Sequence, residues 1–449
     1  MTAPFVPHTD AEIAEMLAFL GLSSLDRLFA QVPAAIRLAA GLDLPPQASE
    51  ADVLDDLEEL ARKNRSGRDL VCFAGAGAYD HEVPAVVRSL ASRSEFVTAY
   101  TPYQPEVAQG VLQALFEYQT MVARLSGLEV ANASLYDGAA ALVEGVNLAA
   151  AATGNQVVLC SAGVNPRWRR QMATFAAGSH HEIHVLPLAG GVTDWGAAEG
   201  IDAAGAVVVA LPNYLGCLEE LAAARALAGR TGARLVVCFD PVASGLLATP
   251  GSLGADLAVG EGQALGLPLS FGGPYLGLFA CRLGDVRRLP GRLVGETVDT
   301  EGRTAYVTTL RAREQDIRRE RASSNVCTNE TLMAVTAAVQ LGWLGTTGLR
   351  EVALRSARAT RYCREALCAI DGVEPAAPAP VLREFALSIP LEPEVLVERL
   401  AEDGFLAGVP VRQGYEGTDL DGSLLVAATE RRTAAEVDAF AAAFEKAVR

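Results

Sequence analysis

The chain has 449 residues, enough for two or three domains of about 150 residues each, and its 50% hydrophobic and 20% charged content excludes a disordered or fibrous polymer. Lys and Arg number 37 against 54 Asp and Glu, a formal net charge of −17, which argues against a nucleic-acid partner, whose affinity rests on basic residues neutralising phosphates. The only lysines are Lys63 and Lys446, so chemistry that requires a lysine amine has two positions to draw on.

The first 60 residues read as helical. Thr9-Asp10-Ala11-Glu12 forms a capping box, and Ile13, Met16, Leu17 and Leu20 follow at helical spacing before Gly21. Short helices are expected over 24–42 and a charged one over 50–63. With little core of its own, the segment 1–66 reads as an arm lying over another surface. Residues 68–105 are dense in glycine, proline and aromatics, and a strong helix is expected over about 106–126. Apolar runs then recur at Val157–Cys160, His184–Leu186, Ala206–Leu211, Leu235–Phe239, Leu257–Val259 and Leu276–Ala280. Helical patterns fall between most of them, at about 138–153, 166–177 and 218–230. Short Val-rich runs alternating with helices predict βαβ units and a mainly parallel sheet, with six or seven strands inside 130–285. A helical stretch over 328–369 follows, which Gly342, Gly345 and Gly348 divide into two. After the Pro-rich DGVEPAAPAP (371–380) comes a smaller α/β unit: strand 383–389, helix 393–403, strand 423–428, helix 433–448. The expected domains are therefore 1–66, 67–330 and 331–449. No apolar run reaches the length of about 18 residues that spans a bilayer, and no secretory signal is visible, so neither membrane nor export is expected. The eight cysteines include no C-x-x-C and read as reduced thiols of a cytoplasmic protein.

Several strings bear on chemistry. Ser134-Leu135-Tyr136-Asp137-Gly138-Ala139-Ala140-Ala141 opens a helix after an apolar segment. Small residues there let backbone N–H groups reach an anion favoured by the helix dipole, so the string reads either as a phosphate seat or as an ordinary capped helix. Asp240 ends a buried strand at the sheet edge where open α/β folds bind ligands. It reads equally as the partner of a pyridinium nitrogen or as a loop cap. The glycines of GEGQALG (260–266) and SFGGPY (270–275) indicate close backbone approach or left-handed turns at a site. HHEIH (180–184) imitates a metal cluster, but on a strand its imidazoles do not converge on one ion, and no metal is expected. No G-x-S-x-G elbow, Walker motif or complete dinucleotide fingerprint occurs.

Longer strings carry a resemblance: FVPHTDAEIAEML (5–17), GAGAYDHEVPAVV (75–87), SRSEFVTAYTPYQPEVAQGVLQALFEYQTMVARLSG (92–127), ANASLYDGAAALVEG (131–145), GEGQALGLPLSFGGPYLG (260–277), PGRLVGETVD (290–299) and REQDIRRERASSNVCTNE (313–330). In these the chain resembles the N-terminal half of the glycine-cleavage P-protein, in its split bacterial form, where it corresponds to the alpha subunit. The resemblance implies an α/β fold of the fold-type I pyridoxal-phosphate transferase class, with a seven-stranded sheet and a small C-terminal domain. It also implies a reaction: glycine plus lipoyl H-protein gives carbon dioxide and an aminomethyl-dihydrolipoyl arm, with pyridoxal phosphate as electron sink.

A pyridoxal enzyme needs a lysine for its Schiff base. Here the comparable segment is Gly262-Gln263-Ala264, and Arg321 stands where the family string has lysine. The resemblance then implies that a separate beta subunit brings lysine and cofactor, in an expected two-plus-two heterotetramer. Tyr136, Asp137, Gly138, Ala139 and Asp240 become relics of a cofactor seat. His81, Tyr100, Thr101, Tyr103, Gln104, Gly272, Gly273, Ser323, Ser324 and Asn325 are expected at a shared active-site entrance. Their neutral hydrogen-bonding groups suit a small zwitterion or a lipoyl arm, and Pro102 and Pro105 stiffen the loop. Two other readings stay open: a self-sufficient pyridoxal decarboxylase or aminotransferase, and a non-catalytic scaffold built on the same fold.

Overall fold

The computed structural model describes residues 7–38, 42–67, 69–97 and 102–449. The chain divides into two units, ending and beginning at Arg65 and Ser66. In the first, α1 (Asp10–Phe19) starts at the capping box read from sequence: Thr9 Oγ1 accepts the Glu12 N–H, and Glu12 accepts the Thr9 N–H in return. A second helix, α2 (Glu50–Ala61), repeats the device with Ser49 and Asp52. Among the described residues of 24–42, the single turns Leu25–Phe29 and Ala34–Ile36 form. No residue of α1 or α2 is buried.

The second unit is built on a seven-stranded sheet. Its strands are β1 (Val130–Ala131), β2 (Val157–Ser161), β3 (Glu182–Leu186), β4 (Ala206–Leu211), β5 (Arg234–Phe239), β6 (Leu257–Glu261) and β7 (Gly277–Cys281), in the spatial order β1-β7-β6-β5-β4-β2-β3. Pairs β3–β2, β2–β4, β4–β5 and β5–β6 are parallel, while β7 is antiparallel to both neighbours. The reversal has a simple cause. A parallel return needs a crossover helix, and 262–276 contains none beyond one short turn at Ser270–Gly272. β4 is buried along its whole length and divides its residues between two cores: Val207, Val209 and Leu211 on one face, Ala206, Val208 and Ala210 on the other. The first face is covered by α3 (Gln109–Ser126), α6 (Leu221–Thr231) and the start of α7 (Thr331–Leu367). The second is covered by α4 (Gly138–Thr153), with Met172 of α5 (Pro166–Ser179).

The long helix α7 departs from helical geometry at Gly345 (φ 59°), so one of the three glycines read from sequence marks the break. An 18-residue window of α7 has the length and mean hydropathy of a membrane span, yet Ala334, Ala337 and Leu341 belong to the sheet core. Its far end, with Cys363 and Leu367, packs in a third core with Phe385, Leu396, Leu424 and Phe440 of the C-terminal α/β unit. That unit is a four-stranded sheet, β8 (Glu374–Pro375), β9 (Glu384–Ser388), β10 (Val409–Val411) and β11 (Ser423–Ala427), in the order β8-β9-β11-β10, with helices α8 (Pro393–Glu402) and α9 (Ala434–Val448). Residues 71–73 join this core and not the large sheet's. Val71–Cys72 pairs in parallel with Phe405–Leu406, and the Phe73 ring stacks on Phe440 at 4.0 Å.

Candidate functional site

A cleft lies at the C-terminal edge of the parallel strands, where β5 and β6 end and the segment before β9 packs against them. Two carboxylates define its ends. At one, α4 begins at Gly138 with Asp137 as its cap: Asp137 Oδ1 accepts the Ala140 N–H at 2.7 Å. The Gly138 N–H is already engaged, donating to Glu261 Oε2 at 2.9 Å. Glu261 Oε1 accepts two further backbone N–H groups, from Gln263 (2.9 Å) and Leu276 (3.1 Å). Burial pushes this carboxyl up to about 7, with the backbone N–H donors opposing the rise. Position 138 has to be glycine, because a Cβ there would sit 2.3 Å from Cζ2 of Trp168 on α5. Gln263, in the segment compared with the family's lysine, spends its amide on the backbone: Oε1 accepts from Tyr79, and Nε2 donates to the carbonyls of Tyr79 and Leu267.

At the other end, Asp240 follows β5. Its Oδ1 accepts the Val242 N–H at 2.9 Å, the loop-capping role, while Oδ2 lies 2.6 Å from Nη2 of Arg383. Arg383 precedes β9 and is buried, with its guanidinium carbon 3.5 Å from the centroid of the Tyr79 ring. Its Nη1 lies 2.8 Å from Nε2 of His81. An arginine N–H only donates, so Nε2 accepts and the imidazole proton sits on Nδ1, 2.6 Å from Glu430 Oε2. Glu430 also accepts the Glu82 N–H at 2.8 Å. Beside Arg383, Glu384 accepts the Ala76 N–H (2.5 Å) and the Tyr79 O–H (2.9 Å), and burial pushes it up to about 7. The GAGAYDHE loop is thereby tied to the C-terminal unit by charged side chains from one dipeptide, Arg383-Glu384.

The residues expected at an entrance separate into groups. His81 is buried, and both ring nitrogens are engaged inside the protein. Tyr100 and Thr101 lie outside the described residues. Tyr103 and Gln104 are exposed. Arg292 and Arg311 approach the Tyr103 ring, at 4.8 and 5.6 Å from its centroid, and the Tyr103 hydroxyl accepts from Arg292 Nη2 at 3.1 Å. Arg292 also donates to Glu314 and to the Cys327 carbonyl, both at 2.8 Å, and the Cys327 N–H reaches the Tyr136 hydroxyl at 3.4 Å. Tyr103, Tyr136 and the Ser323-Ser324-Asn325 segment leading to Cys327 are thus joined through Arg292. Ser324 Oγ caps its own turn by accepting the Val326 N–H, Ser323 and Asn325 are exposed, and Ala139 is buried. Gly272, exposed, and Gly273, half-buried, form a turn at φ 107° and 146°, beside the fully exposed ring of Phe271. HHEIH does not converge: His181 bonds Asn147, and His184 bonds Glu182.

Sequence reasoning missed Arg383, Trp168 and Arg292 and quoted Glu261 only among its glycines. The available signal was charge inside apolar strings: Arg-Glu opening the run REFALS, and Glu between the glycines of VGEG.

A family model described as glycine cleavage system P-protein matches residues 3–444. A probable glycine dehydrogenase (decarboxylating) subunit 1 of Moorella thermoacetica is 49% identical over 442 residues, 98% of this chain and 98% of that one. The protein of the same description from Desulforamulus reducens is 43% identical over 440 residues, with 98% of each chain covered. Among solved structures, glycine decarboxylase (P-protein) of the glycine cleavage system, in inhibitor-bound form, matches with a TM-score of 0.90 and 47% identity, over 99% of this chain and 100% of that one. A Burkholderia pseudomallei sphingosine-1-phosphate lyase, 17% identical with a TM-score of 0.65 over 93% and 94% of the two chains, shares the fold alone. By sequence along nearly its whole length, and by a sheet order and C-terminal unit of the fold-type I class, the chain belongs to the glycine cleavage system P-protein family.

Proposed function

We propose that the chain is the alpha subunit of a heteromeric glycine decarboxylase. With a beta subunit it converts glycine and lipoyl H-protein to carbon dioxide and aminomethyl-dihydrolipoyl H-protein. Full-length identity of 49% to a relative described as a glycine dehydrogenase subunit 1 carries the reading. Pyridoxal phosphate supplies the electron sink for decarboxylation when bound, and the residues of this chain do not fit it. No lysine lies between positions 64 and 445, Gln263 stands in the comparable segment with its amide engaged, and Asp240 is already paired. The cofactor and its lysine are assigned to the beta subunit, in a two-plus-two assembly, and the eight free cysteines accord with a cytoplasmic location.

Within that assembly this chain contributes a polar surface. Tyr103, Gln104, Tyr136, Ser323 and Asn325 present neutral donors and acceptors around the Arg292–Glu314 pair and form the entrance patch, and the turn at Gly272 and Gly273 is assigned to the same entrance. Co-expression tests the reading. Glycine–bicarbonate exchange with lipoyl H-protein is expected from the two subunits together and not from this chain alone. A borohydride-reducible absorption band mapped to Lys63 or Lys446, or exchange by the isolated chain, refutes it.

A further inference from the structure

We propose that the cofactor seat of this chain is filled by its own side chains, the Glu261 carboxylate standing where a phosphate would be held and the Arg383 guanidinium where a pyridinium nitrogen would meet Asp240. The inference rests on the reading of this cleft as a former cofactor seat, and goes beyond the missing lysine. It closes the cleft to the phosphorylated pyridine itself, whether or not a Schiff base forms.

Two independent sets of contacts carry it. A phosphate at the start of a helix is held by backbone N–H groups and the helix dipole. Here three N–H groups from three different segments, those of Gly138, Gln263 and Leu276, converge on one carboxylate. Glu261 thus brings an anion to the start of the 16-residue helix α4, and the Trp168 ring is pressed against the same turn at Gly138. An incoming phosphate would have to expel a carboxylate and displace an indole. At the opposite end, both Asp240 oxygens are engaged, one by the Val242 N–H and the other by Arg383 Nη2 at 2.6 Å. The guanidinium cannot swing aside freely, because the Tyr79 ring lies against its face and His81 holds its other terminal nitrogen. The cavity left between these groups is about 80 Å³, well below the roughly 300–1,000 Å³ of small-molecule pockets.

Pyridoxamine 5′-phosphate and inorganic phosphate are the probes, since neither needs a lysine. Calorimetry and thermal shift on the purified full chain are expected to show no saturable binding of either at millimolar concentration. Glu261→Ser frees the three N–H groups, so 10 mM phosphate is expected to raise the melting temperature of this variant and leave that of the parent unchanged. Glu261→Ser combined with Arg383→Met is expected to bind pyridoxamine 5′-phosphate at least tenfold more tightly than inorganic phosphate. Micromolar binding of pyridoxamine 5′-phosphate by the parent chain overturns the proposal, as does a folded double variant that binds neither probe. If the serine variants do not fold, Glu261→Gln replaces them: a larger phosphate-induced shift than the parent's supports the proposal, and an equal shift overturns it. A borohydride-reducible band in the parent would instead strike at the underlying assignment of function, so the two failures are distinguishable.

Discussion

Replacing Arg383 with methionine keeps much of the side-chain volume and removes the guanidinium beside Asp240. Arg383 is 6% exposed and the charged atoms are 2.6 Å apart, so solvent screens the pair weakly. With the charge centres about 4 Å apart, an effective dielectric constant of about 20 gives an attraction of about 4 kcal/mol. Truncating one partner of a buried pair strands the other charge, and such losses are typically about 3–5 kcal/mol. Arg383→Met is therefore expected to cost on the order of 3–5 kcal/mol, with Asp240→Asn lowering stability in the same direction by stranding the guanidinium. In the double variant no charge is stranded, so its cost is expected to fall short of the sum of the two by about 2 kcal/mol or more. Guanidinium chloride unfolding of all four proteins at pH 7.5, followed by circular dichroism, measures the coupling. A single Arg383→Met effect below about 1 kcal/mol, or strictly additive costs, would refute the reading of Arg383 and Asp240 as a coupled, weakly screened buried pair.

Three further outcomes are expected. Burial pushes Glu144 up to about 7, and its Oε2 has no hydrogen-bond partner; a folded-state value above the unfolded one of about 4.5 means stability is lost as pH rises through that window. Glu144→Gln is accordingly expected to stabilise the chain by on the order of 2 kcal/mol at pH 8 and by little at pH 4.5, read from denaturation midpoints at both pH values. Gly138→Ala drives a methyl group to 2.3 Å from the Trp168 ring, with an expected loss of about 1–3 kcal/mol and an altered tryptophan emission spectrum; an unchanged spectrum and midpoint would contradict the close approach. Tyr103→Phe removes the acceptor 3.1 Å from Arg292; in the assembled enzyme a loss of glycine–bicarbonate exchange of at least tenfold, about 1.4 kcal/mol in the barrier, with assembly intact is expected from an entrance residue, and unchanged turnover would remove it from that role.

The parts of the fold legible in the sequence are those governed by local chemistry. Ala206–Leu211 and the run ending at Phe239 read as buried strands because every residue of β4, and all but the first of β5, has to be apolar between two helical layers. The helical patterns expected from about 138 and 166 match the starts of α4 and α5, where the structure has Asp137 as the cap of one and Pro166 at the first position of the other. What escaped depends on pairing across long separations. The two-residue strand Val130–Ala131 has no periodicity to detect. Val71–Phe73 joined the C-terminal core because its strand partner lies more than 300 residues away. For His81, named from sequence as a candidate at a shared entrance, only the fold reveals that Glu430 and Arg383 engage both nitrogens.

The same distinction explains why Asp240 and Gly138 could be located but not interpreted. A strand-end aspartate and a small-residue helix start are both local features, and each is compatible with a ligand or with an internal partner. What decides between them is the group opposite, and in this chain those groups come from different places. Glu261 sits on the strand next to β5 and belongs to the large sheet, so filling the helix start leaves the two sheets independent. Arg383 comes from the C-terminal unit, so satisfying Asp240 also fastens one sheet to the other. Further bonds run the same way: the Tyr415 hydroxyl donates to the Ala162 carbonyl at 2.8 Å, and Arg169 donates to the Gly414 carbonyl at 3.2 Å. Of these contacts, the Arg383–Asp240 pair lines the cleft itself, so a ligand pairing with Asp240 there would have to part it. Groups held in place by such internal partners carry less conformational freedom into any later association, which lowers the ordering cost of binding.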